Sequence, residues 1–215
     1  MWEGTSCCDP NVEAGMISGD DDIRPCFSRC YERRTVLKAA LGLSLGWPLL
    51  KGAMAQDGGP RNARPQEGDR FVFATGGRKG DIITPDDLPL GGPPVMAFPI
   101  DSQTKIVRDG SRLNQLLLLR LNAEALADDT RPRSAAGIVA YSAICTHAGC
   151  EVEDWLVETQ TLMCFCHYSQ FDPKDGARVV DGPAPRRLAA LPLKLADGVL
   201  TAAGGFIGRV GFQPG

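Results

Sequence analysis

Both histidines of this chain lie close to cysteines in the sequence. His147 and His167 are the only histidines among 215 residues, and they lie in the stretches CTHAGC and CFCHYSQFD. Each stretch offers one thiol and one imidazole, in the patterns C-x-H and C-x-x-H. Two loops of this kind can converge on one metal centre. The residues alone therefore predict a metal site, with the candidate ligands Cys145, His147, Cys164 and His167.

Two further cysteines bear on which metal this is. A structural zinc site also accepts two cysteines and two histidines, so the four candidate ligands fit zinc as well. Cys150 and Cys166 lie in the same two stretches, where a closed zinc site would need no extra sulfur. In an oxidising compartment they could cross-link the two loops.

The N-terminal part predicts such a compartment. Paired arginines in ERRTVLK at 32–38 precede the apolar run AALGLSLGWPLL at 39–50, an arrangement similar to a twin-arginine export signal. Basic residues precede the run, so the positive-inside rule predicts a cytoplasmic tail over 1–34. Segment 35–55 is predicted to be either a cleaved signal, with AMA at 53–55 as its cleavage site, or a tilted membrane anchor. In both cases the remainder lies outside the cytoplasm.

After residue 55 the sequence predicts a linker and then an all-β domain. Residues 56–69 are rich in Gly, Pro and Arg, which is typical of a linker or hinge. Over 70–215, short apolar segments alternate with turn residues and predict antiparallel strands, and TPDDLP at 84–89 predicts one brief helix capped by Thr84. The predicted strands are FVFA (71–74), PVMAFPI (94–100), QLLLLRL (115–121), GIVAYSAI (137–144), TLMCF (161–165), ARVV (177–180), LPLKL (191–195) and VLTAA (199–203).

Two cross-linked loops that each present Cys and His resemble the cluster-binding loops of the Rieske iron–sulfur proteins. The resemblance covers 145–172, and GPAP at 182–185 is similar to the proline-rich loop that packs over the cluster in that family. It implies a small antiparallel β-sandwich, a cluster-binding subdomain of two loops and an N-terminal apolar helix before them. It also implies one 2Fe-2S cluster, with one iron on Cys145 and Cys164, the other on His147 and His167, and a Cys150–Cys166 disulfide.

The same resemblance implies roles for four residues around the cluster. Ser169 falls where the family places a serine that donates to a bridging sulfide, and Gly182 and Pro183 belong to the proline-rich loop. Phe171 falls where high-potential members carry a tyrosine that donates to the sulfur of the first cysteine. A phenyl ring cannot donate, so we expect a lower reduction potential than in typical respiratory members.

The resemblance implies one-electron transfer on the periplasmic side of the bacterial inner membrane, by a subunit that is not a catalyst alone. The first candidate is the iron–sulfur subunit of a quinol–cytochrome c reductase, with cytochrome b and cytochrome c type partners and with His167 in contact with quinol. The GPAP loop and the anchor-like segment favour it, whereas Ala148 replaces a leucine that is usual in quinol-oxidising relatives.

Two other functions stay open at this point. One is the small Rieske subunit of a periplasmic molybdenum oxidase of arsenite-oxidase type, bound to a molybdopterin large subunit. The run from Tyr168 to Phe171 and the possible cleavage site suit that function. The other is a zinc-stapled module without redox chemistry.

The net charge of −3, without a basic stripe, excludes nucleic acid as a partner.

Overall fold

The computed structural model describes residues 58–212. In this part of the chain, ten strands form two four-stranded sheets and one hairpin, and every strand pair is antiparallel. No helix within it is long and apolar enough to cross a membrane. The predicted all-β antiparallel class is confirmed. The twin-arginine motif and the predicted apolar helix over 35–55 lie outside the described residues.

Each sheet follows the order of its strands along the chain. The first sheet contains β1 (Arg70–Phe73), β2 (Val95–Ile100), β3 (Leu116–Arg120) and β4 (Ile138–Ser142). The second contains β5 (Asp154–Leu156), β6 (Thr161–Cys164), β7 (Ser169–Asp172) and β8 (Arg178–Asp181). The hairpin joins β9 (Leu193–Ala196) to β10 (Val199–Ala202). The helical segments are α1 (Gly59–Asn62) and the 3-10 turns Pro85–Asp87, Arg112–Asn114, Ala123–Ala125, Arg131–Arg133 and Pro173–Asp175.

Strand β3 is apolar at four consecutive positions because both faces of the first sheet are covered. Leu117 and Leu119 pack towards the second sheet, in a core that also contains Cys145 and Cys164. Leu116 and Leu118 face the opposite side, and their core includes Phe71 and the hairpin residues Leu193 and Leu200. Alternate residues of a strand point to opposite faces, so a strand buried on both faces needs an unbroken apolar run.

All eight predicted strands coincide with strands of the structure, and two strands were missed. Strand β5 was missed because it is short and contains an aspartate. Strand β7 was missed because its residues belong to the stretch CFCHYSQFD, which was interpreted as a metal-binding loop. The brief helix after Thr84 is confirmed as the 3-10 turn Pro85–Asp87, with a reciprocal capping box between Thr84 and Asp87. In the predicted strand LPLKL, the alternating leucines indicate one buried face, but Leu195 is 41% exposed on the hairpin.

From Gly58 onward, the predicted linker packs along the domain. Arg61 forms an ion pair with Asp109 at 2.7 Å. The side-chain amide of Asn114 donates to the Ala63 carbonyl at 2.9 Å. Closer to β1, Asp69 pairs with Arg108 at 2.7 Å, and both side chains are almost completely buried. These contacts fix the path by which the chain enters the first sheet.

Candidate metal centre

The first candidate loop, residues 145–150, is a tight turn that follows β4. The backbone N–H of Cys145 donates to the Cys150 carbonyl at 2.8 Å, and the N–H of Gly149 donates to the Cys145 carbonyl at 3.1 Å. Gly149 adopts a φ of +76°, a left-handed conformation that glycine allows without steric cost. Cys145 is buried and His147 is half-buried, so the thiol and the imidazole lie at different depths of one turn.

The second candidate loop is the connection between β6 and β7. Cys164 and Ser169 pair across the end of this hairpin, and the Tyr168 N–H donates to the Cys164 carbonyl at 2.9 Å. Tyr168 has a φ of +60°, which is uncommon for a residue other than glycine. Cys164 is buried under the first sheet, whereas His167 is exposed. This loop therefore repeats the arrangement of a buried thiol and a more accessible imidazole.

The loop after β8 packs against the second loop and is linked to the first. A Cβ atom on Gly182 would lie 2.5 Å from the Ser169 Cα, so only glycine allows this close approach. The Ala184 N–H donates to the buried Ser169 hydroxyl at 3.1 Å. The Thr146 hydroxyl donates to the Arg186 carbonyl at 2.6 Å. Three loops are thereby fastened to one another by short-range polar contacts.

A disulfide joins the first two loops. The predicted Cys150–Cys166 bond is present, and Cys145 and Cys164 are the free cysteines of the described residues. The sulfur of Cys164 lies within 4.8 Å of both disulfide sulfurs. Metal binding requires a thiolate, which the sulfurs of a disulfide cannot provide. The two free thiols, Cys145 and Cys164, remain available for metal binding.

The remaining donors fit a metal centre. The imidazole rings of His147 and His167 lie 4.5 Å apart between centroids and are nearly perpendicular, at 88°. The Nδ1 atom of His147 is buried and has no hydrogen-bond partner among the described residues. Burial raises the pKa of the Cys164 thiol to about 11, and the adjacent Cys145 adds to this effect. Buried polar atoms without partners destabilise a fold, so these donors are consistent with ligands that complete their bonding with a metal.

The other predicted site residues divide between core and surface. Phe171 is completely buried opposite Leu162, in the same core as Cys145 and Cys164. Pro183 is exposed. Sequence reasoning missed Thr146 and the Ala184 amide. Each forms a hydrogen bond with a group 15 or more residues away in the chain, and the sequence carries no signal for such a pairing.

Comparison with known proteins identifies this arrangement. Residues 85–192 match the family model of the Rieske 2Fe-2S domain. The chain is 44% identical over 106 residues to a protein of Haloferax mediterranei that is named as the Rieske subunit of a respiratory nitrate reductase, and the match covers 48% of this chain and 47% of that protein. It is 43% identical over 98 residues to the cytochrome bc1 complex Rieske iron–sulfur subunit of Streptomyces lividans, with coverages of 45% and 58%.

A solved structure is also similar. The soluble domain of Rieske protein II from Sulfolobus acidocaldarius gives a TM-score of 0.34 at 23% identity, over 45% of this chain and 66% of that one. The chain spans about half the length of the two relatives named above, at 47% and 58%.

Proposed function

This chain belongs to the Rieske 2Fe-2S domain family, and on that premise we propose that it is the iron–sulfur subunit of a quinol–cytochrome c reductase-like complex. It is a Rieske electron-transfer subunit, and its cofactor is one 2Fe-2S cluster. When bound, the cluster takes up or releases one electron. The 43% identity to a cytochrome bc1 Rieske subunit over 98 residues supports this choice of complex.

The four candidate ligands divide by depth, and this division carries the proposal. The ligands would be Cys145 and Cys164 for one iron, and His147 and His167 for the other. The backbone N–H groups of Cys166 and His167 favour the thiolate form of Cys164 and so oppose the effect of burial on its pKa. Both thiols must lose their protons when metal binds. The sulfur end of the site is therefore anchored in the core, and the nitrogen end meets the surface.

Of the four candidate ligands, His167 is the exposed one and so the most accessible to a quinol. Its imidazole is exposed in the second loop, which also carries the exposed side chains of Phe165 and Tyr168. An imidazole in this position can accept a hydrogen bond from a quinol hydroxyl and then take up its proton. The adjacent Tyr168 ring provides apolar surface on which a quinol ring can pack.

Ser169 is positioned to act on the buried side of the same site. Its hydroxyl oxygen accepts the Ala184 N–H at 3.1 Å, and the side chain is 1% exposed. The hydroxyl proton remains free to be donated towards the centre. A donated hydrogen bond stabilises the more negative, reduced state, so we expect this residue to raise the reduction potential.

The location and partners of the protein form part of the proposal. The twin-arginine motif and the apolar segment 35–55 support export to the periplasmic side of the bacterial inner membrane. Cytochrome b and cytochrome c type proteins would then be the redox partners. The alternative of a molybdenum oxidase rests on the run from Tyr168 to Phe171 and on a possible cleavage at 53–55, and the cleavage site lies outside the described residues.

A second candidate is a Rieske subunit that serves a respiratory reductase. The observation that favours it is the 44% identity, over 106 residues, to the Haloferax mediterranei protein that is named for nitrate reductase. The zinc alternative is disfavoured, because the family match implies an iron–sulfur cluster.

Purification of the full chain with its companions tests these proposals. The chain should be extracted from its own membranes with a C-terminal affinity tag, and the attached proteins identified by mass spectrometry. A cytochrome b companion is the expected result, whereas the catalytic subunit of a respiratory reductase would favour the second candidate. Protein that is colourless and gives no low-temperature EPR signal after dithionite reduction would refute the electron-transfer function itself.

A further inference from the structure

A groove of about 190 Å³ opens beside the disulfide, and neither histidine lines it. Sites for drug-sized ligands usually enclose roughly 300–1,000 Å³, so this groove has room for a side chain and not for a cofactor. Its walls are formed by three carboxylates, one aromatic ring and the two disulfide cysteines, namely Glu151, Glu153, Asp154, Phe165, Cys150 and Cys166.

The negative charge in this groove is not compensated within the described residues. None of the ion pairs there includes Glu151, Glu153 or Asp154. A hydrogen bond from the protonated Glu153 to the Glu151 carboxylate, burial and the Glu151 charge together raise the pKa of Glu153. The Oδ2 atom of Asp154 is buried and has no hydrogen-bond partner there. A positive group in the groove would relieve the repulsion between these carboxylates.

The aromatic wall narrows the chemistry of that positive group. Phe165 is 63% exposed and its ring meets Tyr168 edge to face at 6.4 Å. A guanidinium can stack on a phenyl face while it donates several hydrogen bonds to carboxylates, which a compact ammonium or metal ion does less well. Among the described residues, the three carboxylates do not form a set tight enough to hold a metal ion.

We propose that this groove is a docking point for an arginine side chain on a basic face of the protein that exchanges electrons with this subunit. The inference rests on the proposed electron-transfer function, and it names the chemistry of the partner surface. The groove ends at Cys166, next to the exposed His167, and the Cys164 sulfur lies within 4.8 Å of the disulfide. A partner held here therefore lies close to the redox centre while the histidine end stays open.

Two small oxidants of opposite charge can probe the groove in the full holoprotein. The dithionite-reduced protein gives one electron to hexaammineruthenium(III), which becomes ruthenium(II), or to ferricyanide, which becomes ferrocyanide. In the Glu151→Gln/Glu153→Gln variant, we expect the ruthenium rate to fall about threefold or more at low ionic strength and the ferricyanide rate to rise. The effect should disappear at high salt.

The matched control removes two carboxylates that do not line the groove. Glu124 and Asp129 are both exposed and neither belongs to an ion pair of the described residues, so Glu124→Gln/Asp129→Asn makes the same change in net charge. This variant should keep both rates close to those of the wild type. Equal changes in the two double variants would overturn the proposal, because net charge would then explain them. Lower electron-transfer rates with both oxidants in the groove variant would also overturn the proposal, because a change in the driving force of the reaction would then be the cause.

A peptide competition tests the guanidinium directly. Tetra-arginine should lower the ruthenium rate of the wild type about threefold or more, whereas tetra-citrulline, its neutral isostere, should leave it unchanged. The groove variant should lose this inhibition and the control variant should keep it. Asp154→Asn, which retains the shape of the side chain, should weaken the inhibition as well. Inhibition of the groove variant to the same extent as the wild type would refute the docking point.

The docking point and the electron-transfer function can be refuted separately. A holoprotein with the expected EPR signal but with rates that do not respond to the groove substitutions would overturn the arginine site alone. A protein without any iron–sulfur signal would overturn the electron-transfer function and the docking point together.

Discussion

The substitution Asp69→Asn tests how the domain is held where the chain enters it. The Asp69 carboxylate receives two hydrogen bonds from Arg108, at 2.7 and 3.0 Å, and the two side chains are 3% and 5% exposed. Loss of one partner from a buried ion pair leaves an uncompensated charge and typically costs about 3–5 kcal/mol. Asp101 also contacts Arg108, at 3.1 Å, so some compensation remains. We therefore expect a loss of about 3 kcal/mol, at the lower end of that range.

Urea unfolding of the holoprotein under anaerobic conditions, followed by far-UV circular dichroism, measures this loss. With slopes of about 1–3 kcal/mol per molar urea, the midpoint should fall by about 1–3 M. Glu67→Gln is the matched control, because Glu67 pairs with Lys194 at 2.6 Å on the same segment but in solvent, and its midpoint should hardly move. Asp69→Asn/Arg108→Met should recover part of the loss, since no buried charge is left alone. A shift for Asp69→Asn no larger than that of the control would refute the reasoning.

Three further predictions concern the loops of the site. Replacement of both Cys150 and Cys166 by serine should lower the unfolding free energy by about 3 kcal/mol in urea titrations, because the bond spans 16 residues. Gly182→Ala should alter the EPR spectrum of the reduced protein, since its Cβ would lie 2.5 Å from backbone; Gly198→Ala, with a similar positive φ and open space, should not. Phe171→Tyr should raise the reduction potential by about 20–65 mV in voltammetry, if the added hydroxyl contributes one ordinary hydrogen bond, and an unchanged or lower value would contradict this.

The structural elements that could be predicted are those whose pattern lies within a few consecutive residues of the sequence. The apolar run of β3 indicated a strand, and Thr84 indicated a capped turn. The disulfide between Cys150 and Cys166 was implied by the family resemblance and is present in the structure. The ligand assignment itself stays a prediction, although the structure brings the two imidazoles together and keeps both remaining thiols free.

What the sequence could not predict depends on which distant groups become neighbours. Thr146 is an ordinary threonine until the fold places the Arg186 carbonyl, 40 residues away, 2.6 Å from its hydroxyl. The Ala184 amide carries no side-chain signal, yet it fixes the Ser169 hydroxyl. Both contacts need the loop after β8 to return over the hairpin, and the close approach at Gly182 permits this. A motif can therefore specify donors, but their orientation depends on backbone groups that are invisible in the sequence.

The same dependence brings side chains of different chemistry next to the disulfide. Chain order puts Glu151 and Glu153 directly after the first loop, and hairpin geometry places the Phe165 ring beside them. The groove ends at Cys166, and the exposed His167 is the next residue along the chain. The proposed quinol contact and the proposed arginine contact therefore use neighbouring residues of different chemistry, an imidazole in one case and carboxylates in the other. If the groove variant proved as slow with a neutral quinol as with a basic partner, the two contacts would not be independent, which would contradict this division.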